Sequence, residues 1–229
     1  MTNSMQTMQL ERQNAGTTKT YSGELERNGY CLVKNLLDPE ELYHPVPRER
    51  GFIRYLGRID KFNHSQEDPQ VPGALLRAFH PQYKKIHSKL RKKVEEVIGR
   101  NLYNTYYDDR FYFEGQSLKQ NILADAGEIS VAFHVSSNLE EPWPLWIKTP
   151  DSYVDNQKSA ILVPGEECSI VLQPGDGLIY KGCERPYWRD TLPVTKKKWF
   201  NFGNKKEFYY HELWFHYVLT DGQRSHQAY

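Results

Sequence analysis

Pro174-Gly175-Asp176-Gly177-Leu178-Ile179-Tyr180, running on into Lys181-Gly182-Cys183-Glu184-Arg185-Pro186-Tyr187-Trp188-Arg189-Asp190, decides the fold class. Pro-Gly-Asp-Gly is turn chemistry, because proline presets φ and glycine tolerates the left-handed region. The three apolar residues after it are too few for a helix and suit a buried strand, and a polar rim follows. On spacing alone Trp188 and Arg189 read as packing and surface pairing.

The same rhythm recurs on both sides. Short β-prone segments are expected at Thr105–Phe113, Glu128–Ser136, Leu145–Lys148, Cys168–Leu172, Leu178–Tyr180 and Tyr209–Leu219. Pro142-Trp143-Pro144, Pro150-Asp151 and Pro164-Gly165 separate them, as in a sandwich closing on itself. Before residue 100 the pattern differs. Gly29–Asn35 has strand composition, and Leu37–Leu42 offers an N-cap Asp38 and Pro39 at the first helical position. From Pro45 to Pro81 only Gly51–Leu56 and Leu75–Phe79 look regular. Tyr83, Ile86, Leu90, Val94, Val97 and Ile98 recur at helical spacing up to Gly99, with Lys84, Lys85, Lys89, Arg91, Lys92 and Lys93 mostly on the other, solvated face. The expected class is α+β, mainly β: a jelly roll with supporting N-terminal helices.

The chain has 229 residues, 38% of them hydrophobic and 14% aromatic, enough for one large core. Residues 1–20 are polar and aperiodic, so they read as a mobile arm, with a single domain over 21–229. A formal charge of +1 gives no general electrostatic reason for a nucleic-acid or membrane partner. Cys31, Cys168 and Cys183 are odd in number and far apart, which argues against a disulfide framework or cysteine zinc site and for reduced thiols. No apolar run of about 18 residues and no secretory core occur, so a cytoplasmic location is expected. The motifs of P-loop, α/β-hydrolase and zincin chemistry are missing.

Three passages are specific together. Gly115–Leu123 leading to Glu128-Ile129-Ser130, then Ser136–Leu139 with Pro142-Trp143-Pro144, then Pro174-Gly175-Asp176 with Tyr180–Glu184, resemble the 2-oxoglutarate, Fe(II)-dependent oxygenases. The likeness is to the small oxygenase-like proteins of tailed cyanobacterial viruses, over roughly residues 25–229, and the closing Phe215–Val218 with Asp221-Gly222 also fits. The resemblance implies a double-stranded β-helix with iron and 2-oxoglutarate at its open mouth. It implies a His-x-Asp pair and a distant His as iron ligands, and here those positions hold Asn121, Leu123 and Tyr187.

Imidazole and carboxylate suit Fe(II), whereas a carboxamide oxygen is a weak neutral donor, leucine donates nothing and a phenol ionises only near pH 10. The expectation is therefore a non-catalytic descendant with no cofactor, working through protein partners in a larger assembly, either in the host cytosol or in a virion. Two alternatives stand beside it. An active hydroxylase would use Fe(II) and 2-oxoglutarate at a relocated site drawn from Asp125, Glu128, His134, His211 and His216. Odd spacing sends His211 and His216 to opposite faces of one strand, a poor ligand pair. The other alternative is a small-ligand binder using the vacated mouth. Arg189 and Arg224 are the candidates for a 2-oxoglutarate carboxylate, because a guanidinium matches a carboxylate bidentately. Trp143, Trp146, Trp188 and Trp214 are candidates for surface contacts or for core and rim packing.

Overall fold

The computed structural model describes residues 21–42, 65–155, 160–193 and 208–228. The expected N-terminal arm and the expected regular segment at Gly51–Leu56 lie outside them. Residues 21–28 form helix α1, followed by β1 (Tyr30–Val33) and α2 (Pro39–Leu42). The Asp38 carboxylate accepts the Glu40 backbone N–H at 3.0 Å, which is the expected cap. Strands β2 (Ser65–Glu67) and β3 (Leu75–Ala78) lead to α3 (Lys84–Ile98). Gly99 ends that helix in the left-handed region at φ 70°, and its N–H reaches the Glu95 carbonyl.

The remaining strands are β4 (Leu102–Phe113), β5 (Leu118–Asn121), β6 (Ile129–Ser137), β7 (Leu145–Lys148), β8 (Ser152–Asp155) and β9 (Ala160–Val163). They continue with β10 (Glu167–Ile170), β11 (Gly177–Lys181), β12 (Tyr187–Arg189) and β13 (Tyr209–Leu219). The larger sheet runs β1-β11-β6-β13-β4-β3-β2, the smaller β10-β7-β12-β5, and β8 and β9 form a separate hairpin. Their pairings are antiparallel. From β4 onward the chain alternates between sheets: β4, β6, β11 and β13 in the large one, β5, β7, β10 and β12 in the small one. That winding is the jelly roll expected from the sequence.

Period-2 alternation builds two apolar layers from the same strands. Ile129, Val131 and Phe133 of β6 join Leu213 and Phe215 of β13 beneath Ile86, Leu90, Val94 and Ile98 of α3. Ala132, Leu178, Tyr180, Tyr210 and Trp214 face the other way and meet Leu118, Leu145, Ile147 and Tyr187 of the smaller sheet. The Pro174-Gly175-Asp176 turn is locked onto the N-terminal segment. Gly175 sits at φ 91°, its carbonyl accepts the Leu37 N–H at 3.1 Å, and a side chain there would meet the Leu37 carbonyl. The Asp176 carboxylate takes Lys34 at 2.7 Å and the Asn35 N–H at 3.2 Å.

Two expectations are corrected. Arg189 is not a surface pairing residue: its side chain is fully buried between the sheets. The lysine face of α3 is partly engaged within the chain, since Lys93 donates to the Leu36 carbonyl at 3.0 Å and Lys89 pairs with Glu41 at 2.6 Å. Trp143 and Trp214 are core residues, while Trp146 and Trp188 stack on each other at 6.1 Å, less deeply buried.

Candidate functional site

The three positions assigned by the resemblance come together at one end of the jelly roll. β5 and β12 pair with Asn121 directly opposite Tyr187, and the Asn121 carboxamide donates to the Tyr187 hydroxyl at 3.3 Å. Leu123 follows β5, and its backbone N–H is tied to the Gly182 carbonyl at 2.9 Å. Its side chain lies over Gly127 and Gly182, where added Cβ atoms would meet it at 2.9 and 2.7 Å. Leu123 and Tyr187 therefore line one pocket of ≈ 180 Å³ at the mouth.

The opposite wall comes from β4 and β13. Tyr106, Asp108 and Arg110 share one face of β4, and Trp214 and His216 share one face of β13. His216 stacks on Tyr106 with centroids 4.0 Å apart. Its Nδ1 lies 2.8 Å from the Ser130 hydroxyl, and its Nε2 lies 3.6 Å from Asp108. Ser130 is fully buried and also donates within reach of the Gly127 carbonyl at 3.0 Å, so it orients the ring and is no exposed nucleophile. Arg110 pairs with Asp68 and reaches the Tyr112 hydroxyl at 3.1 Å and Gln70 at 3.2 Å.

These donors do not suit Fe(II). Burial pushes the Tyr187 phenol up to about 12, opposed in part by the Asn121 hydrogen bond, so it stays protonated at neutral pH. Asn121 turns its N–H₂ toward that phenol, and Leu123 has no donor atom. Among the described residues no three His, Cys, Asp or Glu side chains are grouped to hold a metal ion.

The candidates for a relocated site are dispersed. His134 sits between the Leu172 carbonyl at 3.1 Å and the Ser137 hydroxyl at 3.2 Å, stacked on Tyr210. His211 donates to Asp109 at 2.6 Å, beside Arg77, on the face of the sheet opposite His216. Burial alone would raise the Asp109 carboxyl, but Arg77 and His211 hold it below the usual carboxylate range. Asp125 and Glu128 hold Arg224 at 2.9 and 3.4 Å on the rim.

The two arginine candidates are not brought together. Arg189 lies between the sheets, where its guanidinium already holds a carboxylate: Nη2 donates to Glu212 at 2.6 Å and Nε to the same carboxylate at 3.3 Å. Its Nη1 donates to the Trp143 carbonyl at 2.7 Å, and the Trp143 and Tyr210 rings cover it at 4.8 and 4.5 Å.

This architecture has counterparts among solved structures. A Pseudomonas putida prolyl-4-hydroxylase shares 14% identity over 87% of this chain and 98% of its own, with a TM-score of 0.53. The fold is that of the 2-oxoglutarate, Fe(II)-dependent oxygenases. An alpha-ketoglutarate-dependent epimerase of nogalamycin biosynthesis matches the oxygenase fold at 11% identity over 88% and 84% of the two chains, TM-score 0.55. A Trichoplax adhaerens prolyl hydroxylase, in complex with a peptide of hypoxia inducible factor, matches at 12% identity over 92% and 93%, TM-score 0.52. No family model and no curated protein matches the sequence.

Sequence reasoning named Leu123, Tyr187 and, among its substitute ligands, His216, but missed Tyr106, Asp108, Arg110 and Trp214 as their neighbours. A signal was present. Asp108, Asp109 and Arg110 put three successive charges into an otherwise aromatic strand, so at least one of them must be aimed between the two sheets, and such a charge marks a site.

Proposed function

We propose that this chain is a non-catalytic interaction protein that keeps the oxygenase jelly roll and has given up its iron chemistry. The carrying observation is the mouth itself, where Asn121 and Tyr187 hydrogen-bond to each other and Leu123 fills the space between Gly127 and Gly182. Three donors suited to Fe(II) have become a closed amide–phenol pair and an alkyl group. Losing even the partners behind metal ligands costs roughly 10- to 100-fold in affinity, so losing the ligands removes ordinary iron binding.

A partner role is supported by the β8–β9 hairpin. Tyr153 pairs across from Leu162 and Val154 from Ile161, and these four are 72%, 49%, 53% and 47% exposed. Both faces of a two-stranded hairpin thus carry bare apolar side chains, and such hairpins are marginal in water unless something covers them. The resemblance of the sequence to small proteins of tailed cyanobacterial viruses supports a component of a viral assembly as the partner. Mass spectrometry of purified particles against infected-cell lysate tests that, and recovery from lysate alone contradicts a particle role.

The enzymatic test is anaerobic reconstitution with Fe(II), metal analysis, and assay of 2-oxoglutarate-dependent succinate formation. The expected result is no stoichiometric iron and no turnover. Iron together with turnover overturns the reading in favour of a relocated active site. A second role, binding of a small molecule at the mouth, is favoured by one specific observation: the indole N–H of Trp214, which lines the pocket, is buried with no acceptor.

A further inference from the structure

The mouth pocket is lined by the indole of Trp214, whose N–H is buried and has no acceptor among the described residues, and by the Asp108 carboxylate, which takes no hydrogen bond from them; together they define a ligand chemistry. We propose that it binds a small neutral polyhydroxylated molecule, no larger than a single sugar ring, through Asp108 and Trp214. This rests on the reading that the mouth no longer holds iron.

Size comes first. A volume of ≈ 180 Å³ is the space of about six waters, below the ~300–1,000 Å³ of drug-sized sites, so the ligand has few carbons. Charge narrows the class. Arg110 is neutralised by Asp68, whose other oxygen accepts the Gln70 and Val71 N–H groups at 2.7 and 3.2 Å. The guanidinium's remaining contacts go to Tyr112 and Gln70. That pair offers little to an anion, and Asp108 repels one.

Asp108 is different: it feels the Arg110 charge but makes no ion pair with it, the His216 Nε2 stands 3.6 Å away, beyond a good hydrogen bond, and the side chain is 15% exposed. The carboxylate asks for donors. Trp214, its cross-strand neighbour, offers the reverse: its N–H is buried in a residue only 3% exposed and has no acceptor among the described residues, so a ligand reaches it as the pocket wall opens. Leaving such a donor unmet is costly, so a native structure satisfies it with water or ligand. Tyr187 adds a hydroxyl that accepts from Asn121 and has a proton of its own to give.

A cation would satisfy Asp108 but meet the positive ends of the Trp214 and Tyr187 donors. A hydroxyl satisfies all three, because it donates once and accepts twice. The walls agree with this, since Tyr106, Tyr187 and Trp214 present aromatic surface on which the C–H groups of a polyol or sugar ring can lie.

The test uses the full chain and a probe set of glycerol, erythritol, glucose and myo-inositol, against choline and succinate, read by isothermal titration and ligand-observed NMR. At least one polyol should saturate while choline and succinate do not. Asp108→Asn and, separately, Trp214→Phe should each weaken that binding about tenfold or more, with circular dichroism unchanged. Tyr153→Ser, on the distant hairpin, should leave it intact. Saturation by choline or succinate in preference to every polyol overturns the ligand class, and failure of all polyols to saturate shows a pocket holding water alone. If Asp108→Asn unfolds the chain, Trp214→Phe decides. Metal analysis of the same sample separates the two readings: bound iron defeats the non-catalytic reading, whereas iron-free protein that ignores polyols defeats only this inference.

Discussion

Arg189 and Glu212 offer a sharp energetic test, because the pair is isolated, wholly buried and unrelated to any surface. Their side chains are 0% exposed and meet at 2.6 Å. Replacing Glu212 by leucine strands a guanidinium between the sheets with the Trp143 carbonyl at 2.7 Å, the Tyr210 hydroxyl at 3.3 Å and two ring faces at 4.8 and 4.5 Å. Breaking a buried pair from one side costs about 3–5 kcal/mol, and the two rings, at about 1–2 kcal/mol, pull this variant to the lower end. Arg189→Met belongs at the upper end, since it strands a carboxylate that, among the described residues, takes its hydrogen bonds from Arg189 alone. For a chain of 229 residues these losses are a fall of about 6–20 °C in Tm. The double variant Arg189→Met/Glu212→Leu should cost little, because an apolar pair of similar volume often replaces a buried ion pair without loss. Urea unfolding of the four proteins followed by tryptophan fluorescence closes the cycle. A cost below about 1 kcal/mol for Arg189→Met, or a double variant as damaged as both singles together, would refute the reasoning.

Restoring His, Asp and His by Asn121→His, Leu123→Asp and Tyr187→His should create Fe(II) binding that wild type lacks, read by anaerobic metal analysis. If iron still fails to bind, the surroundings have diverged as well as the ligands. Burial lowers His87 and His134 to about 4 from 6.5, so both are neutral when folded and stability falls as pH drops from about 6.5 toward 4, by at most about 3 kcal/mol each. Calorimetry across that range should show the fall, shallower in His87→Gln and His134→Gln; equal slopes in all three proteins contradict it. Tyr153→Ser with Leu162→Ser should leave Tm within about 1 °C, since both side chains are exposed, yet remove any partner retained by the hairpin in a pull-down. Retention by the doubly substituted hairpin counts against it as a docking element.

How far the sequence was legible depends on how each strand is buried. β4, β6 and β13 announce themselves because both faces are lined, one by α3 and one by the smaller sheet, giving long β-prone runs. Strands β5 and β12 did not, being Leu-Lys-Gln-Asn and Tyr-Trp-Arg, too short and polar for any period. They were noticed only through the resemblance, although they carry two of the three positions that it assigns to iron ligands. The apolar β9 was missed for the opposite reason: its four residues are exposed, and nothing in Ala-Ile-Leu-Val says so. Arg189 was misjudged because its partner stands 23 positions later, on another sheet, and no local pattern links them. Helix α1, with a glycine and Leu25 as its buried apolar residue, has too little periodicity to be seen.

On the proposed reading, the way the ligand positions were replaced explains why the fold tolerates it. Asn121 ends β5 and Tyr187 begins β12, so both stand at the mouth, with Tyr187 also packed into the apolar layer between the sheets. A neutral replacement there needs only to remove the charge that the metal would have compensated. Tyr187 does so by packing its ring 5.2 Å from Trp214 and 5.5 Å from Tyr180 while its hydroxyl takes the Asn121 proton. Leu123 does so by apolar contact over two glycines that leave it room. Deeper in, Glu212 supplies from within the chain the carboxylate that an arginine would otherwise take from a ligand. A scaffold that only decayed would show stranded charges at these places. Here Asn121 and Tyr187 are partnered with each other and Arg189 with Glu212, while Trp214 and Asp108 stand opposite each other on neighbouring strands in the pocket wall, which is where selection for a bound molecule is to be sought.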